Sequence, residues 1–169
     1  MHQTAIRRAY AADTPAIARI VNAAWRTAYA GIVPQSYLDS LEDLSRAQRM
    51  AEGLERAPEM RYYLFEENGE PVGASCLHAT NDGDLANTAE FSFFYFLPAV
   101  WRRGYGTALL RHIKREAAEL GYGRLCCWVL EENRRAIAFY ESQGMQRDGA
   151  RHTLTVGVPL EAVRCVTDL

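Results

Sequence analysis

Residues 98–107 read Pro98-Ala99-Val100-Trp101-Arg102-Arg103-Gly104-Tyr105-Gly106-Thr107 and join an aromatic run to a stretch with helical periodicity. The aromatic run, residues 91–97, predicts a strand that is buried on both faces and crosses the middle of a sheet. After the two glycines, apolar residues recur at three- and four-residue spacing, which predicts a helix over residues 107–120 capped by Gly121. The segment is therefore a strand-to-helix junction.

The residues after this junction continue the pattern. Residues 125–130 predict a strand, residues 133–143 a short helix closed by Gly144, and residues 153–158 and 163–166 two further strands. A strand, helix and strand in this order predict one parallel unit, because a helix of this length can cross over between two parallel strands.

The residues before the junction predict helices followed by a hairpin. Asp13-Thr14-Pro15 offers an N-cap and a proline suited to a first helical turn, so a helix should begin there and end near Gly31. Residues 34–57 predict one or two less regular helices. Asn68-Gly69 lies between two strand-like stretches, which is a strong hairpin signal. The chain is thus predicted to be one mixed α+β domain over residues 1–169, with a mostly antiparallel central sheet, one parallel strand–helix–strand unit and flanking helices.

Composition and charge exclude several classes of function. The net charge of the 169 residues is −2 and the basic residues are dispersed, so a nucleic-acid partner is not expected. No apolar run suits a signal peptide or a membrane span, which predicts a cytoplasmic protein without a membrane partner. The four cysteines lack Cys-x-x-Cys spacing and predict buried free thiols. His2, His78, His112 and His152 show no ligand-like spacing, so no metal is predicted.

The glycine junction is a candidate phosphate site on physical grounds. Glycine lets the backbone approach a ligand, and the free N–H groups and dipole of the helix that follows favour an anion. Arg102 and Arg103 add positive charge. A glycine turn before a helix is also common as simple chain geometry, and the sequence has neither a Walker-type motif nor a dinucleotide fingerprint.

An aromatic strand, a proline and Gly-x-Gly at the start of a helix resemble the acetyl-CoA site of the GNAT superfamily of N-acetyltransferases. The resemblance implies a GNAT-like fold in which backbone amides from Arg102 to Thr107 hold the pyrophosphate of CoA. That set comprises Arg102, Arg103, Gly104, Tyr105, Gly106 and Thr107. It also implies that the backbone of Tyr95, Phe96 and Leu97 pairs with the pantetheine arm. Trp101 departs from the pattern, since the family usually has Gln or Arg there.

A second motif strengthens the resemblance. Residues 133–145 match the family pattern Asn-x-x-Ala-x-x-Phe-Tyr followed by Gly, with Asn133, Ala136 and Phe139 expected at the cofactor. Taken alone, Ala136, Phe139 and Tyr140 at helical spacing are more often core residues. Their order and their separation from the glycine turn favour the motif instead. The matching tyrosine is Tyr140, which the resemblance implies as general acid. A phenol is protonated at neutral pH and can discharge the CoA thiolate that leaves.

The resemblance also implies a path for the amine proton and a place for the acceptor. Glu90, at the start of the aromatic strand, is expected to act as a base through water, or else to be a solvated strand-end charge. A strand bulge near Phe96 is expected to present an oxyanion donor. The acceptor pocket is expected at Trp25, Tyr29 and Tyr37, although helical spacing also suits a core position for Trp25.

The sequence therefore predicts an acetyl-CoA-dependent N-acetyltransferase that acts on the primary amine of a small molecule or peptide. A CoA-binding regulatory module without catalysis is the main alternative, and a phosphate site for another nucleotide is a third. A homodimer is a candidate assembly, because dimers are common in the family.

Overall fold

The structure, a computed structural model, describes residues 3–169, so His2 lies outside the described residues. The strands are β1 (Thr4–Ala9), β2 (Arg61–Glu67), β3 (Glu70–Ala79), β4 (Thr88–Phe96), β5 (Arg124–Leu130), β6 (Gln146–Val156) and β7 (Val158–Asp168). The helices are α1 (Thr14–Ala28), α2 (Gln35–Asp39), α3 (Asp43–Arg56), α4 (Tyr105–Glu119) and α5 (Arg134–Ser142).

All seven strands belong to one sheet, in the order β1-β2-β3-β4-β5-β7-β6. Strands β4 and β5 are parallel and are connected through α4. The other neighbouring pairs are antiparallel. The predicted mixed α+β fold, with one parallel unit in a mostly antiparallel sheet, is confirmed.

The sheet has an apolar core on each face. One core joins the buried face of α4, with Leu109, Leu110 and Ile113, to β2–β5 and to α5. The other joins Ile17 and Ile20 of α1 to strands β2 and β3. Helices thus cover both faces, and β4 lies at the centre of the molecule.

Local sequence signals explain where several elements begin and end. Helix α1 starts after Asp13 as predicted, but the Asp13 carboxylate accepts hydrogen bonds from Arg7 and from the N–H of Tyr10 rather than capping the helix. The β2–β3 turn has positive φ at Asn68 (53°) and Gly69 (84°), as a two-residue hairpin turn requires.

Strand β4 is less buried than its aromatic sequence predicts. Ser92 is exposed, and Phe93, Phe94 and Tyr95 are half-buried, because β4 pairs with β5 only over residues 88–90. The expectation of burial on both faces is therefore wrong for residues 92–95, whereas Phe91 and Phe96 are buried.

The bulge in β4 also differs from the sequence prediction. In the pairing of β3 with β4, Cys76 lies opposite Phe93 and Leu77 opposite Phe91, which leaves Ser92 as the extra residue. The register shift is thus at Ser92 and not near Phe96. Bulge position depends on pairing across strands, which a single strand's sequence does not carry.

The C-terminal strands are longer than predicted. Residues 153–158 span the end of β6 and the first residue of β7, with Gly157 at φ 74° in the turn between them. Residues 163–166 are the middle of β7. The first half of β6 is polar and exposed, so its sequence lacks the apolar alternation by which a half-buried strand is predicted.

The prediction of buried free thiols is confirmed for all four cysteines. Burial raises the pKa of Cys76 and of Cys126 to about 12, so neither is a thiolate at neutral pH. In residues 3–169 no helix combines the length and the apolar character that crossing a membrane requires.

Candidate active site

The divergence of β4 from β5 opens a cleft of about 440 Å³ in the middle of the sheet. Beyond Glu90, each strand continues without the other as its hydrogen-bonding neighbour. The cleft is bounded by β4, β5, the start of α4 and the face of α5. A splayed parallel pair with helix ends beside it is a typical location for a ligand in a sheet that contains parallel strands.

The structure brings most of the predicted cofactor residues to this cleft. Its lining includes Tyr95, Phe96, Arg102, Gly104, Tyr105, Gly106, Thr107, Asn133, Ala136, Phe139 and the predicted acid Tyr140. It also includes Tyr29, one of the three predicted acceptor residues. The predicted residues that do not line the cleft are Leu97, Arg103, Glu90, Trp25 and Tyr37.

The turn before α4 has the geometry of an anion site. Gly104 adopts φ 80° as the N-cap, a conformation that glycine accepts without strain. The first backbone hydrogen bond of the helix runs from the N–H of Ala108 to the carbonyl of Gly104, at 3.2 Å. The amides of Tyr105, Gly106 and Thr107 therefore lack partners within the helix and lie at the cleft.

The two arginines of the turn have different surroundings. Arg102 lines the cleft, with φ 65°. The guanidinium of Arg103 instead donates to the Glu67 carboxylate of β2 at 3.1 Å, and the hydroxyl of Tyr105 donates to the same carboxylate. The Arg103 side chain is thus held away from the cleft, contrary to the expectation that it adds charge at the phosphate site.

Backbone alternation in β4 decides which amides face the cleft. The N–H of Leu97 donates to the Val72 carbonyl of β3 at 2.8 Å. Because successive amides of a strand point to opposite edges, the N–H groups of Phe94 and Phe96 point to the open edge, and that of Tyr95 points to β3 with Leu97. Of the predicted Tyr95, Phe96 and Leu97, only Phe96 therefore has its backbone N–H free to pair with a ligand. Phe94, which was not predicted, has its N–H on the same open edge.

Helix α5 forms the opposite wall. The side chain of Asn133 caps the helix by accepting from the N–H of Ala136 at 3.2 Å. Tyr140, 7% exposed, packs its ring against Phe91 and Phe94, with centroids 5.5 and 6.4 Å away. Burial raises the pKa of Tyr140 well above its usual value of 10.0, so its hydroxyl stays protonated at neutral and moderately alkaline pH.

Glu90 lies beside the cleft but not in its wall. Its carboxylate accepts a hydrogen bond from the Thr80 hydroxyl at 2.9 Å. Asp82 and Cys126 bring their side-chain ligand atoms to within 4.8 Å of it. The carboxylate of Asp82 is held by the indole N–H of Trp128, at 3.0 Å, and by Arg164.

The three predicted acceptor residues are aromatic neighbours at one end of the cleft. The hydroxyls of Tyr29 and Tyr95 are 2.9 Å apart, and burial raises the pKa of both. Trp25 packs edge-on against Tyr29 with ring centroids 4.8 Å apart, and the centroid of Tyr37 lies 6.4 Å from that of Trp25. Trp25 and Tyr37 support the wall from behind, which leaves Tyr29 as the predicted acceptor residue that reaches the cleft.

Sequence reasoning missed several residues of the site. Ser92, Phe93, Phe94 and Trp128 line the cleft because β4 and β5 separate there, and no sequence pattern marks that separation. Arg135 also lines the cleft, and its guanidinium carbon lies 3.7 Å from the centroid of the Trp101 ring. Its position two residues after Asn133, on the first turn of α5, was the available signal.

Comparisons with known proteins agree with this architecture. The Acetyltransferase (GNAT) family profile matches residues 17–145. An uncharacterized N-acetyltransferase of Bacillus subtilis (strain 168), YuaI, is 27% identical over 163 residues, which cover 94% of this chain and 89% of the relative.

Solved structures of other acetyltransferases share the fold. PaiA N-acetyltransferase from Thermoplasma acidophilum, solved in complex with coenzyme A, has a TM-score of 0.79 at 18% identity and covers 99% of both chains. YncA from Salmonella typhimurium, a putative acetyltransferase solved with acetyl-CoA, has a TM-score of 0.73 at 22% identity, covering 99% of this chain and 94% of that chain. The fold and these comparisons place the protein in the class of acetyl-CoA-dependent acyltransferases. Within that class, the chain belongs to the GNAT acetyltransferase family.

Proposed function

We propose that the chain transfers an acetyl group from acetyl-CoA, bound in the β4–β5 cleft, directly to the primary amine of a small molecule or peptide. The observation that carries this proposal is the meeting in one cleft of the open β4 edge, the free amides of the α4 turn and the Tyr140 side chain. The open β4 edge can pair with the amide groups of the pantetheine arm, the free amides can bind an anion, and Tyr140 can donate a proton. The related structures with CoA or acetyl-CoA support the same choice of cosubstrate.

In the proposed complex each part of the cofactor meets matching chemistry. The amides of Tyr105, Gly106 and Thr107 bind the pyrophosphate, where the dipole of α4 favours negative charge. The amides of Phe94 and Phe96 pair with the pantetheine arm as a neighbouring strand would. The acetyl group then lies toward the wall that contains Tyr140.

The reaction proceeds by direct attack. The amine nitrogen forms a bond to the thioester carbonyl carbon, and the tetrahedral intermediate carries negative charge on the carbonyl oxygen, which an N–H of the open β4 edge stabilises. The attacking nitrogen loses a proton to water, and Glu90 accepts it through that water. The C–S bond breaks, and the CoA thiolate takes the proton of Tyr140. Glu90 then releases its proton to solvent and solvent returns one to Tyr140, which restores both groups.

The acceptor enters at the aromatic end of the cleft, where Tyr29 and Tyr95 present their linked hydroxyls. Trp128 of β5 also lines the cleft. We assign this end to the acceptor because the α4 turn and the open β4 edge are allotted to the cofactor. Residues 1–169 act in this proposal as one catalytic domain in the cytoplasm, without a metal.

The test is release of free thiol from acetyl-CoA across a panel of amines, amino acids, aminoglycosides and peptides. Tyr140→Phe removes only the acidic hydroxyl and is expected to lower kcat about 100-fold, within the range for general acids, with little change in CoA affinity. Tyr62→Phe is the matched control, because Tyr62 is also buried but packs in the other core and does not line the cleft.

Full activity of Tyr140→Phe would reject Tyr140 as the acid. Absence of turnover with every acceptor, together with a rise in melting temperature on adding acetyl-CoA, would favour a regulatory CoA-binding module. Absence of both would reject the CoA site itself.

A further inference from the structure

Two arginines face the cleft mouth from opposite walls. Arg102 comes from the turn before α4 and Arg135 from the first turn of α5, and both are exposed to solvent. Partial burial lowers the pKa of Arg135, and the nearby charge of Arg102 lowers it further. In residues 3–169 no carboxylate forms an ion pair with either arginine, whereas Arg103 of the same turn is paired with Glu67. The cleft mouth thus carries two positive charges that the described residues do not neutralise.

Trp101 orients one of these charges. Its indole N–H donates to the carbonyl of Phe96 at 2.9 Å, which fixes the ring against the end of β4. The guanidinium carbon of Arg135 lies over this anchored ring, 3.7 Å from its centroid, in the geometry of a cation–π contact. A long side chain at the surface normally samples many rotamers, so stacking limits the freedom of Arg135 before any ligand arrives.

We propose that Arg135 is a cofactor-binding residue that pairs with a phosphate of CoA, and that Trp101 is the positioning residue that holds it there. This inference rests on the proposed function, since it assumes CoA in the cleft. It explains why tryptophan stands where the family usually has Gln or Arg. Arg135 of α5 supplies the positive charge from across the cleft, and the ring of Trp101 in the turn packs against its guanidinium.

The chemistry of the pair fits a phosphate. A guanidinium presents N–H donors in a planar fork that matches two phosphate oxygens, and charge-assisted bonds of this kind are about twice as strong as neutral ones. An anion between Arg102 and Arg135 also removes their mutual repulsion. CoA offers two such groups, the pyrophosphate and the 3′-phosphate, and the inference covers both.

The experiment measures dissociation constants by calorimetry for acetyl-CoA, its 3′-dephospho form and phosphate-free S-acetylpantetheine. Arg135→Gln is expected to weaken acetyl-CoA binding about 10-fold and to leave S-acetylpantetheine binding unchanged. If the 3′-phosphate is the partner, the dephospho form shows no loss, and if it is the pyrophosphate, the loss persists. Arg134→Gln is the matched control, because Arg134 is the exposed arginine next in sequence and does not line the cleft.

The role of Trp101 has its own readout. Trp101→Phe keeps an aromatic ring under Arg135 and should retain most of the affinity, whereas Trp101→Leu should lose about as much as Arg135→Gln. Because both variants then lack the same contact, adding Arg135→Gln to Trp101→Leu should cause little further loss. The difference between wild type and Arg135→Gln should also shrink as salt rises.

Equal loss of acetyl-CoA and S-acetylpantetheine binding in Arg135→Gln would overturn the inference, as would affinity equal to that of wild type. Additive losses in the double variant would overturn the role of Trp101. If wild type itself bound none of the three compounds, the proposed function would fail instead, and that result is distinct from a loss confined to the variants.

Discussion

Tyr140 and Glu90 differ in how the fold surrounds them, although the sequence suggests a role in proton transfer for each. Tyr140 is buried among Phe91, Phe94 and α5, which keeps its proton in place. Glu90 is bonded to Thr80 outside the cleft wall, so its proposed role as a base requires a bridging water. The two assignments therefore predict different effects of substitution.

Glu90→Gln replaces the carboxylate by an amide, which cannot accept a proton. We expect kcat/KM to fall about 10-fold, because the amine proton then lacks its acceptor. Tyr140 adds no decline with pH below pH 10, because its raised pKa keeps it protonated there. Glu70→Gln, an exposed change at the start of β3, is the control for the assay. Activity of Glu90→Gln equal to that of wild type would remove Glu90 from the mechanism.

At single positions, the sequence predicted a residue's place correctly where backbone geometry or motif spacing determines that place. Gly104 and Asn133 stand where their motifs predict, in a left-handed turn and at a helix cap. The prediction failed where a residue distant in sequence determines the direction of the side chain. Arg103 and Arg102 are neighbours with identical side chains, but Glu67, 36 residues earlier in the chain, draws Arg103 away from the cleft. Nothing within the motif specifies that partner.

Among the elements, the turn before α4 contains two residues with positive φ, Arg102 and Gly104. Gly104→Ala places a side chain at φ 80° and should destabilise the protein by about 1 kcal/mol, because L-residues are disfavoured there. It should also weaken acetyl-CoA binding by shifting the amides that follow. Urea unfolding and calorimetry measure the two effects.

Gly83→Ala is the matched control for this change. Both glycines have open space where a Cβ would lie, but only Gly104 has a positive φ. The control should stay within about 0.5 kcal/mol of wild type, as surface changes usually do. Similar losses in both variants would mean that the left-handed conformation at Gly104 has no special role.

Strand β4 shows why element type was easier to predict than exposure. Its aromatic run indicates a strand, and the structure confirms one. Its half-open second part follows from a pairing with β5 that stops at Glu90, and its bulge follows from a mismatch with β3. Both are properties of strand pairs, so they become visible only when the sheet is assembled.

Across the whole molecule, Arg164 links parts of the chain that are far apart in sequence. Its side chain, 5% exposed, forms ion pairs with Asp82, Asp84 and Asp148 at 2.6 to 2.8 Å. The β3–β4 loop and β6 are thereby tied to β7. The same Asp82 carboxylate accepts the indole N–H of Trp128, so the network reaches the wall of the cleft.

Arg164→Gln should lower the free energy of unfolding at pH 7 by about 2 kcal/mol, below the usual cost of breaking a fully buried pair because the carboxylates are partly solvated. The Arg164 guanidinium lowers the pKa of Asp84, so the part of the effect that comes from this ion pair is present above the ordinary carboxyl pKa of about 4 and is lost as pH falls through the lowered pKa. Urea unfolding at pH 7 and pH 3 should show a narrower gap between the two proteins in acid.

Arg115→Gln provides the comparison, because Arg115 and Glu119 form an exposed pair along α4 at 3.7 Å. Such pairs contribute about 0.3–0.5 kcal/mol, so little change is expected at either pH. A gap between wild type and Arg164→Gln that was as wide at pH 3 as at pH 7 would show that lost packing, rather than charge, explains the effect.

The short pairing of β4 with β5 has a mechanical consequence. The sheet consists of two leaves, β1–β4 and β5–β7, that share only three residue pairs along the seam. A pantetheine arm lying along β4 would fill the seam and stiffen the joint between the leaves. Binding and release of the cofactor would then change how firmly the two halves of the sheet are held together.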